Sequence, residues 1–308
     1  MKRSLFLLII LISCNFLGSA QEFIRLWPEG KMPNSKGMGL TDSIFNERYY
    51  RIGNPGIYAF FPSKQENLGT AVVICPGGGY HHYAYMGAIQ VAKWFNTMGI
   101  SAFVLISRLP LSLDLVERSI APLQDAERAM RIIRSNASEW GIKTDKIGVM
   151  GFSAGGHVAS TLGVHTEDVS AIGDSMDQIT FRPDFMLLVS PVISMGEYAH
   201  TGSRDNLLGE KPSKELIEKY SNELQVTNQA PPAFIVHAEN DPVVNSKNSL
   251  LFFNALREKN VSASIHIFPF GGHAIGLQNN PGSTKFWKEL CEMWLVEKGF
   301  LPEAVTLK

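Results

Sequence analysis

The chain has 308 residues and a formal charge of −1, with 45% hydrophobic and 19% charged residues. This is an ordinary globular composition, long enough for one large α/β domain or two small ones. No basic stripe runs along it, which argues against nucleic acid as a partner.

The first twenty residues stand apart. Lys2 and Arg3 make a short positive start, Leu5 to Ile12 is a continuous apolar run, and Gly18-Ser19-Ala20 offers small residues for cleavage. The run is too short for roughly 30 Å of hydrocarbon, so it predicts a secretory signal rather than a membrane span. Residues 1–20 are expected to be removed near Ala20. The mature chain is then secreted or periplasmic, and losing Lys2 and Arg3 takes its charge from −1 to −3. A second reading stays open: Leu11-Ile12-Ser13-Cys14 resembles a bacterial lipoprotein box, in which Cys14 would carry a lipid anchor. No other stretch is long and apolar enough to span a bilayer. Cys75 and Cys291 lie far apart in apolar patterns, which suits buried hydrophobes and not a disulfide framework.

Residues 21–70 carry Pro28, Pro33, Pro55 and Pro62 with scattered glycines. They read as a loop-rich lead-in with one or two short antiparallel strands near 57–61. A rhythm starts at residue 71. Apolar runs at 71–75, 102–106, 147–150, 185–190, 234–237 and 263–268 alternate with helical patterns at 88–98, 123–139, from 154, 213–223, 246–258 and 284–297. Short runs without alternation are strands buried on both faces, and strands alternating with helices imply crossovers into a parallel sheet. The pattern predicts a single α/β domain over 21–308, with a mostly parallel central sheet of about eight strands and helices on both faces. Helix 123–139 has Leu123, Ala126, Ala129, Met130, Ile133 and Ala137 on one face and Asp125, Glu127, Arg128 and Arg131 on the other, with Gly141 to close it. Segments 164–184 and 194–212 read as the least ordered. They are expected above the C-terminal edge of the sheet, where such sheets bind ligands.

Gly151-Phe152-Ser153-Ala154-Gly155 fits G-x-S-x-G with a strand before it and a helix after it. A tight strand-to-helix turn would strain the serine backbone, expose its hydroxyl and leave no room for side chains at the flanking positions. A serine hydroxyl needs a base to become a nucleophile. His273, in Phe270-Gly271-Gly272-His273 after the last strand run, is placed to reach over the sheet edge. His157 is the rival, but it would sit one turn down the helix, beneath the elbow. The other histidines read as surface or structural, and none makes a metal spacing such as H-E-x-x-H. Asp241, in Asp241-Pro242-Val243-Val244 after the 234–237 run, can orient the imidazole, with Glu239 as the alternative. Ser153, Asp241 and His273 each follow a strand, in a chain order known for such triads. Pro76-Gly77-Gly78-Gly79-Tyr80 follows the 71–75 run. Its glycines let backbone N–H groups turn inward, so Gly78 and Gly79, with Ala154, are the expected oxyanion donors. No phosphate-binding glycine pattern continues from this loop.

Together these residues resemble the α/β-hydrolase superfamily. The closer likeness is to secreted bacterial carbohydrate esterases grouped with acetylxylan esterases and feruloyl-esterase-like hydrolases. The resemblance rests on Pro76-Tyr80, Gly151-His157, Asp241-Val244 and Gly271-His273, on "PLQDAERAMRIIRSNASEWGI" at 122–142 and on "RLWPEG" at 25–30. It implies the α/β-hydrolase fold, the triad Ser153, Asp241 and His273, and the oxyanion donors Gly78, Gly79 and Ala154. It further implies a serine carboxylesterase that removes acyl groups, acetyl first among them, from plant-type polysaccharides such as xylan, with no metal or cofactor. Many lipase relatives begin the oxyanion loop with His where Pro76 stands here, which removes a bracing side chain but no backbone donor. Tyr80, His81, His82 and Tyr83 follow the loop. They can line the sugar side, Tyr80 and His81 first, or form a surface aromatic cluster. Two other functions stay open. One is a serine peptidase of the prolyl-oligopeptidase type, although residues 21–70 are too short for its propeller. The other is a non-catalytic carbohydrate-binding module on a hydrolase scaffold.

Overall fold

Strands buried along their whole length need cover on both faces, and helices packed on each side of the sheet supply it. The computed structural model describes residues 22–273 and 275–303. The expected signal segment, with Ala20 and Cys14, lies outside the described residues. In chain order the elements are β1 (Glu22–Arg25), β2 (Ser43–Phe45), β3 (Arg48–Arg51), β4 (Gly56–Phe60), β5 (Ala71–Cys75), α1 (Tyr85–Thr97), β6 (Ser101–Ile106), α2 (Ala121–Ser135), β7 (Ile147–Phe152), α3 (Ala154–Val164), β8 (Met186–Val189), α4 (Thr201–Leu208), α5 (Lys214–Tyr220), β9 (Ala233–Ala238), α6 (Lys247–Glu258), β10 (Ala263–Phe268) and α7 (Trp287–Glu297).

Among the described residues, eight strands form one sheet in the order β1-β4-β6-β5-β7-β8-β9-β10. From β6 to β10 all pairings are parallel; β4 runs antiparallel to both β1 and β6. Alternate side chains divide the core in two. Val73, Leu105 and Val149 join Met130 of α2, Leu162 of α3 and Phe252 of α6. Val72, Val104 and Met150 join Phe95 of α1 and Trp287 and Trp294 of α7 on the other face. This is the two-sided cover that a parallel sheet needs. Cys75 and Cys291 are both free and buried within these layers. No helix among the described residues is long and apolar enough to cross a membrane.

The N-terminal lead-in is more structured than expected. β1 joins the main sheet as an edge strand, and β2 and β3 form a separate hairpin. Asn46 and Glu47 turn that hairpin with φ of 45° and 58°. The turn needs two left-handed residues, and a glutamate gives no hint of one. Helix α2 ends at Ser135, short of the expected 139, although turn bonds continue to Trp140 and Gly141 takes φ of 66°.

The charged face of α2 is not turned to water. Asp125, Glu127, Arg128 and Arg131 are all buried. Asp125 accepts from Arg108 Nη2 at 2.8 Å, from the Arg108 backbone N–H at 2.6 Å and from Trp27 Nε1 at 2.8 Å. Arg128, Arg131 and Arg134 pair with Asp174, Asp168 and Asp184. These pairs draw segment 165–184 along α2, and Asp184 accepts from the Ile147 N–H at the start of β7. The segment therefore does not lie above the C-terminal edge, as the sequence suggested. Segment 194–212 does reach that rim, and it carries α4, which the sequence reading missed.

Removing one member of a buried pair strands its partner, so Asp125→Ala should cost about 3–5 kcal/mol of stability in denaturant unfolding. Glu127 titrates differently. Its Oε2 accepts from Val169 N–H at 3.0 Å, while Oε1 is buried without a partner. Burial pushes its carboxyl up to about 8, and the Val169 N–H offsets only part of that. The ordinary glutamate value is about 4.3, so folding favours the protonated form, and the stability this confers fades as pH rises from there through 8. Glu127→Gln should therefore unfold at a higher denaturant concentration than wild type at pH 9, with the gain absent at pH 4.

Candidate active site

The turn between β7 and α3 leaves no space for side chains beside the serine. A Cβ on Gly151 would lie 2.2 Å from the Gly155 carbonyl oxygen, and one on Gly155 would lie 2.1 Å from that of Cys75. Ser153 between them takes φ 53° and ψ −123°, a left-handed conformation that costs on the order of 1–3 kcal/mol for a residue other than glycine. Four backbone bonds hold it there: Ser153 N–H donates to the Val189 carbonyl, and the Ser153 carbonyl accepts from Gly156, His157 and Val192 N–H.

The base arrives from the end of β10. Gly271 and Gly272 have φ of 152° and 58°, and Gly272 N–H donates to Asn240 Oδ1 at 3.0 Å. This brings His273 Nε2 to 2.9 Å from Ser153 Oγ and His273 Nδ1 to 2.7 Å from Asp241 Oδ2. A carboxylate accepts, so Nδ1 carries the proton and Nε2 of the neutral ring is left to accept from the serine hydroxyl. The Asp241 side chain has no exposed surface, and that of His273 is 24% exposed.

Asp241 is saturated with donors. Oδ1 accepts from Val243 and Val244 N–H at 2.8 and 3.0 Å. Oδ2 is shared between His273 and His237, whose Nε2 lies 3.2 Å away. His237 Nε2 also donates to the Val244 carbonyl at 3.0 Å, and its Nδ1 meets Ser249 Oγ at 2.7 Å. Burial alone would raise the carboxyl of Asp241. The bonds from His237, His273, Val244 and Val243 outweigh it and hold the group well below the usual carboxylate range. The alternative, Glu239, is exposed and bonds Phe268 only through its backbone.

The Gly77–Gly79 loop lies against this elbow: a Cβ on Gly77 would fall 3.2 Å from Ser153 Cβ. Gly78 has φ of 142°, and a Cβ there would meet the His82 carbonyl at 1.9 Å. The N–H groups of Gly78, Gly79 and Ala154 donate to no protein acceptor among the described residues. No group of three or more His, Cys, Asp or Glu is gathered to hold a metal among the described residues. Two cavities of about 570 and 600 Å³ open elsewhere, and no residue of the Ser153–His273–Asp241 chain lines either.

A family model, BD-FAE, matches residues 57–256. The chain belongs to the BD-FAE family. Among similar proteins is one named endo-1,4-beta-xylanase B from Butyrivibrio fibrisolvens, 38% identical over 81% of this chain and 40% of its own length. An acetylxylan esterase from Xylanibacter ruminicola is 36% identical over 73% of this chain and 44% of its own. The chain thus spans less than half the length of either. A crystal structure of an acetyl ester-xyloside bifunctional hydrolase from Caldicellulosiruptor lactoaceticus is 36% identical, covers 91% of this chain and 97% of its own, and superposes with a TM-score of 0.78. Together with the sheet order, this establishes the α/β-hydrolase fold.

In this BD-FAE member the residues after the glycine loop divide. Tyr80, expected on the sugar side, is buried, with φ of 59° and its hydroxyl 2.7 Å from His157 Nδ1. Tyr83 is buried too, its hydroxyl on Ser107 Oγ. His81 stays exposed and His82 half-buried; both rings meet Tyr50 of β3, with centroids at 5.8 and 5.5 Å. Tyr50 had no signal in the sequence, because the hairpin that delivers it was itself unread. The rival base His157 is buried beneath the elbow, and its ring bonds Tyr80 and the Tyr220 carbonyl, not the Ser153 hydroxyl. His237, expected among the structural histidines, touches the carboxylate itself.

Because the folded Asp241 carboxyl titrates below the ordinary value of about 3.9, the stability it confers is complete above that pH and is lost as pH falls below it. Asp241→Asn should be less stable than wild type at pH 7 by urea unfolding, and the gap should narrow as the pH is lowered to 2.5.

Proposed function

We propose that this protein is a serine carboxylesterase that releases acetyl groups from xylan-type polysaccharides or oligosaccharides. The observation that carries the reading is the unbroken chain from Ser153 Oγ through the His273 ring to a buried, ionised Asp241, at 2.9 and 2.7 Å. Similarity to an acetylxylan esterase and to an acetyl ester-xyloside hydrolase supports the substrate class.

In the proposed reaction His273 Nε2 takes the Ser153 proton while Oγ attacks the ester carbonyl carbon. Asp241 stays ionised and stabilises the imidazolium. The carbonyl oxygen gathers negative charge and meets the free N–H groups of Gly78, Gly79 and Ala154, with the positive end of the α3 dipole behind them. The C–O bond to the sugar breaks, and His273 hands its proton to the departing alcohol oxygen. Water, deprotonated by His273, then attacks the acyl-serine, and acetate leaves as Ser153 regains its proton. We further propose that the chain is exported, from the basic start, apolar run and small-residue site of its first twenty residues.

Wild type should release acetate from acetylated xylan and hydrolyse p-nitrophenyl acetate. Ser153→Ala should lose at least about a thousandfold in kcat on both while keeping its fold by circular dichroism. Unchanged turnover in that variant would overturn the reading, and release of anilide from aminoacyl-anilides in preference to acetate would favour the peptidase alternative.

A further inference from the structure

Helix α4, which the sequence does not signal, is bonded to the glycine loop at one end and capped by a histidine at the other. Asn206 Nδ2 donates to the Gly79 carbonyl at 2.8 Å. At the other end His200 caps the helix: its Nδ1 accepts from Ser203 N–H at 3.2 Å and meets Ser203 Oγ at 2.8 Å. A ring nitrogen that accepts from a backbone N–H carries no proton, so the proton of the neutral ring sits on Nε2. No protein group among the described residues bonds that Nε2. Burial, first of all, lowers the His200 pKa and keeps the ring neutral near pH 7.

The placement gives Nε2–H a direction of use. His200 Cε1 lies 3.9 Å from where a Cβ on Gly79 would stand, and nothing else comes within 4 Å of that point. Glycine at 79, with φ of 64°, therefore leaves open the space between the loop and the ring. The His200 ring also senses the Asp241 carboxylate, whose charge opposes but does not reverse that lowering. In the proposed reaction His273 returns its proton to the leaving alcohol while the glycine loop holds the carbonyl oxygen, so the sugar lies beside both, and the His200 ring faces that loop at Gly79. The segment bearing His200 is held in advance of substrate: Asn248 Oδ1 accepts from Ile193 and Ser194 N–H, and Asn248 Nδ2 donates to the Tyr198 carbonyl at 2.9 Å.

We propose that His200 is a specificity residue for the carbohydrate leaving group, its Nε2–H donating a hydrogen bond to a hydroxyl or ring oxygen of the sugar beside the acylated position. This rests on the esterase reading above. A hydrogen bond to the sugar is made in both the ground and the transition state, so its loss falls mainly on KM. His200→Ala and His200→Gln are assayed on acetylated xylo-oligosaccharides and on p-nitrophenyl acetate, whose leaving group has no hydroxyls to recognise. His200→Ala should lose about tenfold in kcat/KM on the oligosaccharides, as expected for one hydrogen bond. Its p-nitrophenyl acetate turnover should stay within twofold, which also reports an intact fold. His200→Gln, whose amide places a donor near the same point, should recover most of the loss. Equal losses on both substrates would make His200 a brace for the loop and overturn the inference, as would no loss on either. Wild type that cleaves p-nitrophenyl acetate but no acetylated oligosaccharide would fail the carbohydrate reading itself and remove the inference with it, and that outcome is visible before any substitution is made.

Discussion

The rest of the site depends on how closely three stretches of backbone approach at the end of β7. The first turn of α3 presses on the carbonyls that close β5, near enough that Gly155 can carry no side chain, and Gly156 meets Pro191 beyond β8 in the same way. A left-handed serine is unfavourable alone. Here its N–H is tied to β8 and its carbonyl to Val192 and to α3, so no relaxed conformation remains without breaking the sheet. The strain is thus a consequence of packing three central strands and a helix at their closest possible approach. Because the glycine loop is the direct continuation of β5, the contact that strains Ser153 also brings the free N–H groups beside it.

A second layer of constraint comes from charge that is buried rather than solvated. The N-terminal lead-in buries Leu26 and Trp27 in the core, and polar contacts fix its course there. Asp125 holds Trp27 and Arg108, Arg128 Nε donates to the Leu26 carbonyl, and Asn34 exchanges two bonds with Glu117. Arg108 and Arg128 also lie over the Trp27 ring, at 5.8 and 5.2 Å. Buried ion pairs add little net stability over an apolar replacement, but each accepts only a matching partner at a set geometry. Their effect is therefore to specify one path for segments 22–41 and 165–184 over a helix that would otherwise read as a surface element.

The strand–helix rhythm made the parallel sheet and the order Ser, Asp, His legible, because a two-sided core imposes its pattern on every strand and the G-x-S-x-G glycines answer a local steric demand. What was not legible has a common cause. The polar face of α2 looks the same in sequence whether water or Asp168, Asp174 and Asp184 cover it. Tyr80 beside three glycines reads as an open aromatic, and only the position of α3 shows that His157 draws it inward. His237 and His200 carry no motif; each matters through a neighbour more than three residues away in sequence or across the sheet rim. The hairpin bearing Tyr50 turns on a non-glycine pair and so lacked its usual marker.

The link from Tyr80 to His157 shows why burial is useful at this point. His157 Nε2 faces the Tyr220 carbonyl, which can only accept, so that nitrogen holds the proton and Nδ1 accepts from the Tyr80 hydroxyl. Burial pushes the His157 pKa down to about 4 and raises that of Tyr80 well above its ordinary value. Neither group changes protonation near neutral pH, and both stay bonded in the same sense during the proposed proton transfer between Ser153 and His273. A brace that titrated with the site would shift the glycine loop as the nearby charge changed. Because this one is dry and neutral, the N–H groups can keep one geometry through both halves of the proposed reaction. The seven residues Gly151 to His157 therefore carry the proposed nucleophile, one of the proposed N–H donors and the anchor of the loop that bears the others.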